Sequence, residues 1–169
     1  MLTSEMVIKA IDNQAKSVKT KSLDISFNEL LDMYNNQELI IDPDYQRMFR
    51  WSEEKQSMFI ESLILEMPLP PIFVIENEDG NYELIDGLQR ISTYLHFRYK
   101  DIEESIREDF CSDRIKSELV LTGCDIVKEL NEYTFDDLPR AVQLKLKRNF
   151  IRMEVLRKET DTNLRYHMF

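Results

Sequence analysis

A single domain that mixes helices with short strands is what the 169 residues predict. Three stretches carry that prediction. Phe59, Ile60, Leu63, Ile64 and Met67 recur at helical spacing, so residues 53 to 67 read as a core-facing helix. "PPIFVIE" and "YELI" are β-prone runs joined through "NEDGN", where Asp79-Gly80 is a hairpin signal. Leu88, Ile91, Leu95 and Tyr99 mark a further helix face carried to about Lys100. The length suits one compact domain with a real core and does not by itself call for two.

The remaining elements follow in chain order. Residues 1 to 21 read as a peripheral arm or a weakly amphipathic helix through Met6, Ile8 and Ile11, with the domain proper at 22–169. Ser26 followed by Glu29 is a capping-box pattern, and Leu30, Leu31 and Tyr34 give that helix an apolar face. "LIID" reads as a short strand ending at Pro43, and "PDYQRMFRW", residues 43 to 51, as an irregular or extended segment. Ser52 is a good N-cap for the helix that follows, with Glu53 and Glu54 matching its dipole, and Pro68 ends it. "DIEESIREDFCSDRIKSE" suggests one or two surface helices and "LVLTG" a strand. "FDDLPRAVQLKLKRNF" reads as a helix with an acidic first turn and a basic last turn, and "FIRMEVLR" as a strand by its alternation. "DTNLRYHMF" begins another helix in which the sequence stops, as expected for a piece of a longer protein.

The bulk chemistry excludes several functions. A net charge of -10 disfavours extended duplex binding, which needs many cations to neutralise phosphates. A few arginines in a cleft still suffice for a nucleotide, because a local field can oppose the global one. Cys111 and Cys124 form no CxxC pair and read as reduced, partly buried thiols. There is no signal-peptide pattern, and "LILEMPLPPIFVI" is too short and interrupted to span a bilayer, so the expectation is a cytoplasmic protein without membrane contact.

Two clusters carry chemistry. In "YELIDGLQRIST" a strand runs into Asp86-Gly87 and a helix starts at once. Gly87 permits a sharp turn and close approach of a ligand. The free N–H groups of residues 87 to 90 and the helix dipole form an anion site. Arg90 adds a five-donor fork for phosphate, and Gln89 a neutral donor. Asp86 would hold a metal ion or a ribose hydroxyl, or cap the helix. Taken alone, the motif is more often a capped turn with a surface arginine. The second cluster is Tyr45, Gln46 and Arg47, with Arg50 and Trp51. Arg47 is its stronger functional candidate, while Trp51 reads as packing. The prolines of "PLPPIF" set an extended approach to the strand.

In this order and spacing, "PDYQRMFRW", "ESLILEMPLPPIFVIE" and "YELIDGLQRISTYLHF" resemble the N-terminal domain of GmrSD-type restriction systems, with "FDDLP", "FIRMEVLR" and "TNLRYHMF" as its downstream elements. The resemblance runs from about Ser22 to the C-terminus. It implies an α+β fold of ParB/sulfiredoxin type, a small mixed sheet flanked by helices. It also implies a domain that binds and hydrolyses a nucleoside triphosphate with Mg²⁺ and regulates a nuclease, often HNH-type, in modification-dependent restriction or phage defence. Asp86 and Arg90 then take the catalytic roles, with Asp86 also the metal ligand. Tyr45, Gln46, Arg47, Gly87, Leu88, Gln89 and Arg90 bind the nucleotide, Leu88 standing where many members have Gln. The resemblance further implies that the family continues past "YHMF" into a segment that helps complete the pocket. The alternative is a non-enzymatic DNA-binding, modification-sensing module, with Lys145, Lys147, Arg148 and Arg152 as its basic patch. A basic last turn matching the helix dipole explains those residues better. His96 and His167 read as structural or solvated.

Overall fold

A computed structural model describes residues 2–17 and 20–157. Seven helices and five strands occur among them: α1 (Ser4–Ser17), β1 (Thr20–Ser26), α2 (Phe27–Asn35), β2 (Leu39–Ile40), α3 (Pro43–Gln46), α4 (Glu53–Ile64), β3 (Ile72–Glu76), β4 (Tyr82–Asp86), α5 (Leu88–Phe97), α6 (Glu104–Phe110), α7 (Arg140–Arg148) and β5 (Phe150–Leu156). The expected α+β class, a small mixed sheet with flanking helices, is what the chain forms. The helix expected at "DTNLRYHMF", together with His167, lies outside the described residues.

The strands form one sheet in the order β1-β5-β3-β4-β2. β1 runs antiparallel to β5 and β3 antiparallel to β4, while the β3–β5 and β2–β4 pairs are parallel. That arrangement decides where the site can be. Because β2 is parallel to β4, the chain leaving β2 emerges at the edge where β4 ends at Asp86. Because β3 is antiparallel to β4, its entry is there too, with Phe73 opposite Asp86. Residues 41–51, the proline loop 68–71 and the start of α5 therefore share one end of the sheet.

Along β5, Ile151, Met153, Val155 and Leu156 are buried while Phe150 and Arg152 are exposed, so one sheet face carries the core. The core joins Ile72, Val74, Leu84 and Met153 of the sheet to Phe27, Ile60, Leu63, Ile91, Tyr94 and Phe97 of the helices. Each such side chain contributes about 1.5–3 kcal/mol by leaving water. The rings of Phe27 and Tyr94 meet at 4.8 Å, fastening α2 to α5.

Four elements differ from the sequence reading. β1 was not anticipated, because "TKSLDIS" places only Ile25 firmly inside and its other side chains are partly or fully exposed at a sheet edge. Residues 43–46 form a helical turn, not an extended run. Asp42 caps it by accepting from the Asp44 N–H at 2.8 Å, and Pro43 takes the first helical position. "LVLTG" is not a strand. Its backbone pairs irregularly, Leu121 N–H with Tyr133 O at 2.9 Å and Glu132 N–H with Leu121 O at 2.7 Å. α7 begins only after Pro139, since Asp137 is engaged upstream with the Thr134 N–H and hydroxyl.

Both cysteines are free, and burial pushes the Cys124 thiol up to about 11, so it stays protonated. His96 is structural, as expected. Its ring lies buried between Gln56 Oε1 at 2.7 Å and Ser117 O at 2.9 Å. No helix among the described residues is long and apolar enough to cross a membrane.

Candidate functional site

β4 ends at Asp86, and the chain turns into α5 within one residue. Gly87 makes the turn at φ 107°, and it is the N-cap of α5 without any side-chain cap. Glycine is required here twice over. The left-handed backbone is costly for residues with a Cβ, and a Cβ would stand 2.5 Å from Ile72 Cγ2. The first intrahelical bond is Ile91 N–H to Gly87 O at 3.0 Å, so the amides of Leu88, Gln89 and Arg90 have no acceptor within the helix.

These residues open into a cleft of about 760 Å³ lined by Tyr45, Met48, Arg50, Trp51, Ser52, Lys55 and residues 86 to 90. Its charged groups are three cations, Arg50, Lys55 and Arg90, against one carboxylate, Asp86. A chain of net charge -10 thus presents a locally positive cleft.

Asp86 is exposed and does not cap α5, because the cap position falls on Gly87. Its carboxylate acts on both neighbours. Burial pushes the Tyr45 phenol up, Asp86 adds to that, and the Leu88 amide hydrogen bond and Arg90 oppose it. The Tyr45 hydroxyl donates to Ile85 O at 3.2 Å, tying α3 to the end of β4. The Arg90 guanidinium is half-buried; burial draws its pKa down while Asp86 holds it up. It donates to Pro70 O and, at 3.0 Å, to Pro71 O, so two of its five N–H groups anchor the proline loop while Arg90 also lines the cleft.

Gln89 behaves differently from the expected ligand donor. Its Oε1 accepts from the N–H groups of Arg50 at 3.0 Å and Trp51 at 3.2 Å, and its Nε2 donates to Met48 O at 3.0 Å. The side-chain amide therefore pins residues 48–51 to the first turn of α5. The YQR triplet also separates. Tyr45 faces the cleft; Gln46 turns inward, where Oε1 accepts from Ser92 Oγ at 3.3 Å; Arg47 is exposed and paired with Asp44 at 3.1 Å. In a helical turn successive side chains point about 100° apart, so three neighbours cannot face one site. Arg47 is not among the residues lining the cleft.

Sequence reasoning left Met48, Ser52 and Lys55 out of the site and named Arg50 in the second cluster without assigning it a ligand. The usable signal was Ser52, whose Oγ caps α4 by accepting from the Lys55 N–H at 3.2 Å and so aims the start of that helix at the same cleft. Trp51 packs edge-on against Phe59 at 5.9 Å, as expected, and also carries the Lys55 ammonium 5.0 Å from its ring centroid.

Among the described residues no three His, Cys, Asp or Glu side chains converge on a metal position. A structural zinc or calcium cage has no support here. A single carboxylate in a cationic cleft does suit Mg²⁺ carried in by phosphates, because Mg²⁺ keeps its waters and takes only one or two protein carboxylates. The basic end of α7 lies in a separate cleft of about 850 Å³, where Lys145 and Arg152 are offset by Glu66 at 3.9 Å and Asp24 at 3.5 Å. That surface is nearly charge-balanced.

No curated protein and no solved structure matches the chain. The model of the GmrSD restriction endonuclease N-terminal domain matches residues 27–169, which contain α2 to β5 and every residue of the cleft. An ordered match over that much of the sequence has one consequence: the chain belongs to the family of GmrSD restriction endonuclease N-terminal domains, and so to a restriction nuclease system.

Proposed function

We propose that the cleft binds a nucleoside triphosphate with Mg²⁺, and that the domain controls its system's nuclease, of HNH type, through binding and hydrolysis of that nucleotide. The observation that carries this reading is the uncapped start of α5 at Gly87, opening between Arg90, Arg50 and Lys55 beside a single carboxylate. Backbone amides at a helix start and fixed guanidinium groups suit phosphoryl oxygens. Mg²⁺ arriving with the phosphates would be held on the protein side by Asp86 and would neutralise phosphate charge.

In this reading water attacks the γ-phosphorus, the bond to the β–γ bridging oxygen breaks, and the products are the diphosphate and inorganic phosphate. The Arg90 side chain and the amides of Gln89 and Arg90 stabilise charge on the phosphoryl oxygens, and Asp86 orients the water or its ion. Arg90 is already immobilised on Pro70 and Pro71, so little ordering remains for it on binding.

Calorimetry with each common triphosphate plus Mg²⁺, paired with a phosphate-release assay, tests the reading. The wild-type chain should bind at least one nucleotide, Arg90→Ala should bind it much more weakly, and Asp86→Asn should bind it while releasing less phosphate. Absence of binding to every triphosphate rejects the proposal. Steeply salt-dependent DNA affinity without phosphate release would instead favour a DNA-sensing module.

A further inference from the structure

We propose that Arg50 and Lys55 form a second anion-binding wall of the cleft, so that its ligand is selected for a polyphosphate chain rather than a single phosphate. This rests on the nucleotide reading above and goes one step further, to which part of the ligand is recognised by what.

Four observations support it. Arg50 and Lys55 line the cleft from the loop before α4 and from its first turn, whereas Gly87 and Arg90 line it from α5, so the cations sit on two different elements. Neither Arg50 nor Lys55 takes part in an ion pair among the described residues, although the chain carries 32 acidic against 22 basic side chains. The loop that presents Arg50 is not left to wander. Gln89 holds it through three hydrogen bonds, to Arg50 N–H, Trp51 N–H and Met48 O. Lys55 is steadied over the Trp51 ring at 5.0 Å.

The consequence is that the backbone presenting the second wall is held against the first by a side chain that itself comes from the DGLQR turn. A volume of about 760 Å³ lies within the range of nucleotide-sized pockets and leaves room for an extended anion to touch both walls. Net positive charge from three cations and one carboxylate favours an anion of several charges. Gln89 is then a positioning residue. It sets the second wall without touching the ligand.

The test titrates the wild-type chain, in Mg²⁺, with orthophosphate, pyrophosphate, tripolyphosphate and the four common nucleoside triphosphates, alongside Arg50→Ala, Lys55→Ala, Arg50→Lys and Gln89→Ala. Arg50 and Lys55 are exposed, and thermal melts confirm that each variant folds. Wild-type affinity should rise with each added phosphoryl group. Arg50→Ala and Lys55→Ala should each lose about tenfold to a hundredfold toward tripolyphosphate, as for a lost charge-assisted hydrogen bond, with little change toward orthophosphate. Arg50→Lys should recover part of the loss, and Gln89→Ala should show the same chain-length-selective defect. Variants that bind tripolyphosphate as well as wild type, or that lose orthophosphate and tripolyphosphate equally, overturn the second wall and leave the nucleotide reading standing. A wild-type chain that binds neither tripolyphosphate nor any nucleotide overturns both.

Discussion

Replacing Gly87 with alanine should be among the most damaging single changes available at the site, although it adds one methyl group. Two costs combine. A non-glycine residue at φ 107° incurs about 1–3 kcal/mol of backbone strain. The new Cβ would stand 2.5 Å from Ile72 Cγ2 and 3.1 Å from Ile72 Cβ, and Ile72 is fully buried at the entry of β3. Forcing a methyl group into such packing adds roughly 1–3 kcal/mol. The expected loss is therefore about 2–6 kcal/mol, or a melting point lower by roughly 5–20 °C for a chain of this size. Gly80 is the internal control. It also has positive φ, 84°, but an added Cβ would meet nothing within 4 Å, so Gly80→Ala should show only the backbone cost. Urea unfolding of both variants separates strain from overlap. Ile72→Ala in the Gly87→Ala background should cost less than the sum of the two single changes, because it removes the clashing methyl. A Gly87→Ala variant no less stable than Gly80→Ala would refute the close approach of the DGLQR turn to β3.

Other consequences are open to direct measurement. Glu61 is buried, and its Oε2 accepts from the N–H groups of Ile126 at 3.1 Å and Val127 at 2.7 Å, so Glu61→Ala strands two donors and should cost about 2–4 kcal/mol in urea unfolding. Ser52→Ala removes the cap of α4 and should cost about 1 kcal/mol by thermal melt, with weaker ligand binding if that helix start faces the phosphates. Burial draws the His96 pKa down from 6.5 to about 4. The unfolded chain therefore binds the extra proton first, and stability present above pH 6.5 is lost progressively as pH falls from 6.5 to about 4, by roughly 2–3 kcal/mol in all. His96→Gln should flatten that part of the stability profile between pH 7 and 4.5, and an unchanged slope would count against a buried neutral ring.

Much of the architecture is written locally. The hairpin at Asp79-Gly80, the caps at Ser26 and Ser52 and the alternation of β5 are short-range signals that mark where each element lies before its neighbours are known. β1 was less legible, because an edge strand with partly exposed side chains carries little periodicity and owes its existence to seven residues of pairing with β5. "LVLTG" failed in the opposite sense: it is β-prone by composition, but its backbone pairs with Glu132 and Tyr133 of an irregular loop and with no strand of the sheet.

For the site, the sequence alone determined that a glycine turn starts a helix at residue 87 with an arginine in its first turn, since both depend only on neighbours along the chain. Which side chains meet that turn was decided by tertiary structure. The parallel pairing of β2 with β4 delivers residues 41–51 to the same end of the sheet, and the helical turn at 43–46 then points Tyr45 in, Gln46 down and Arg47 away. Three hydrogen bonds from Gln89, across about forty residues of sequence, put Arg50 where Arg47 had been expected. No periodicity or spacing encodes such a contact, because it exists only once two strands have chosen their order in the sheet.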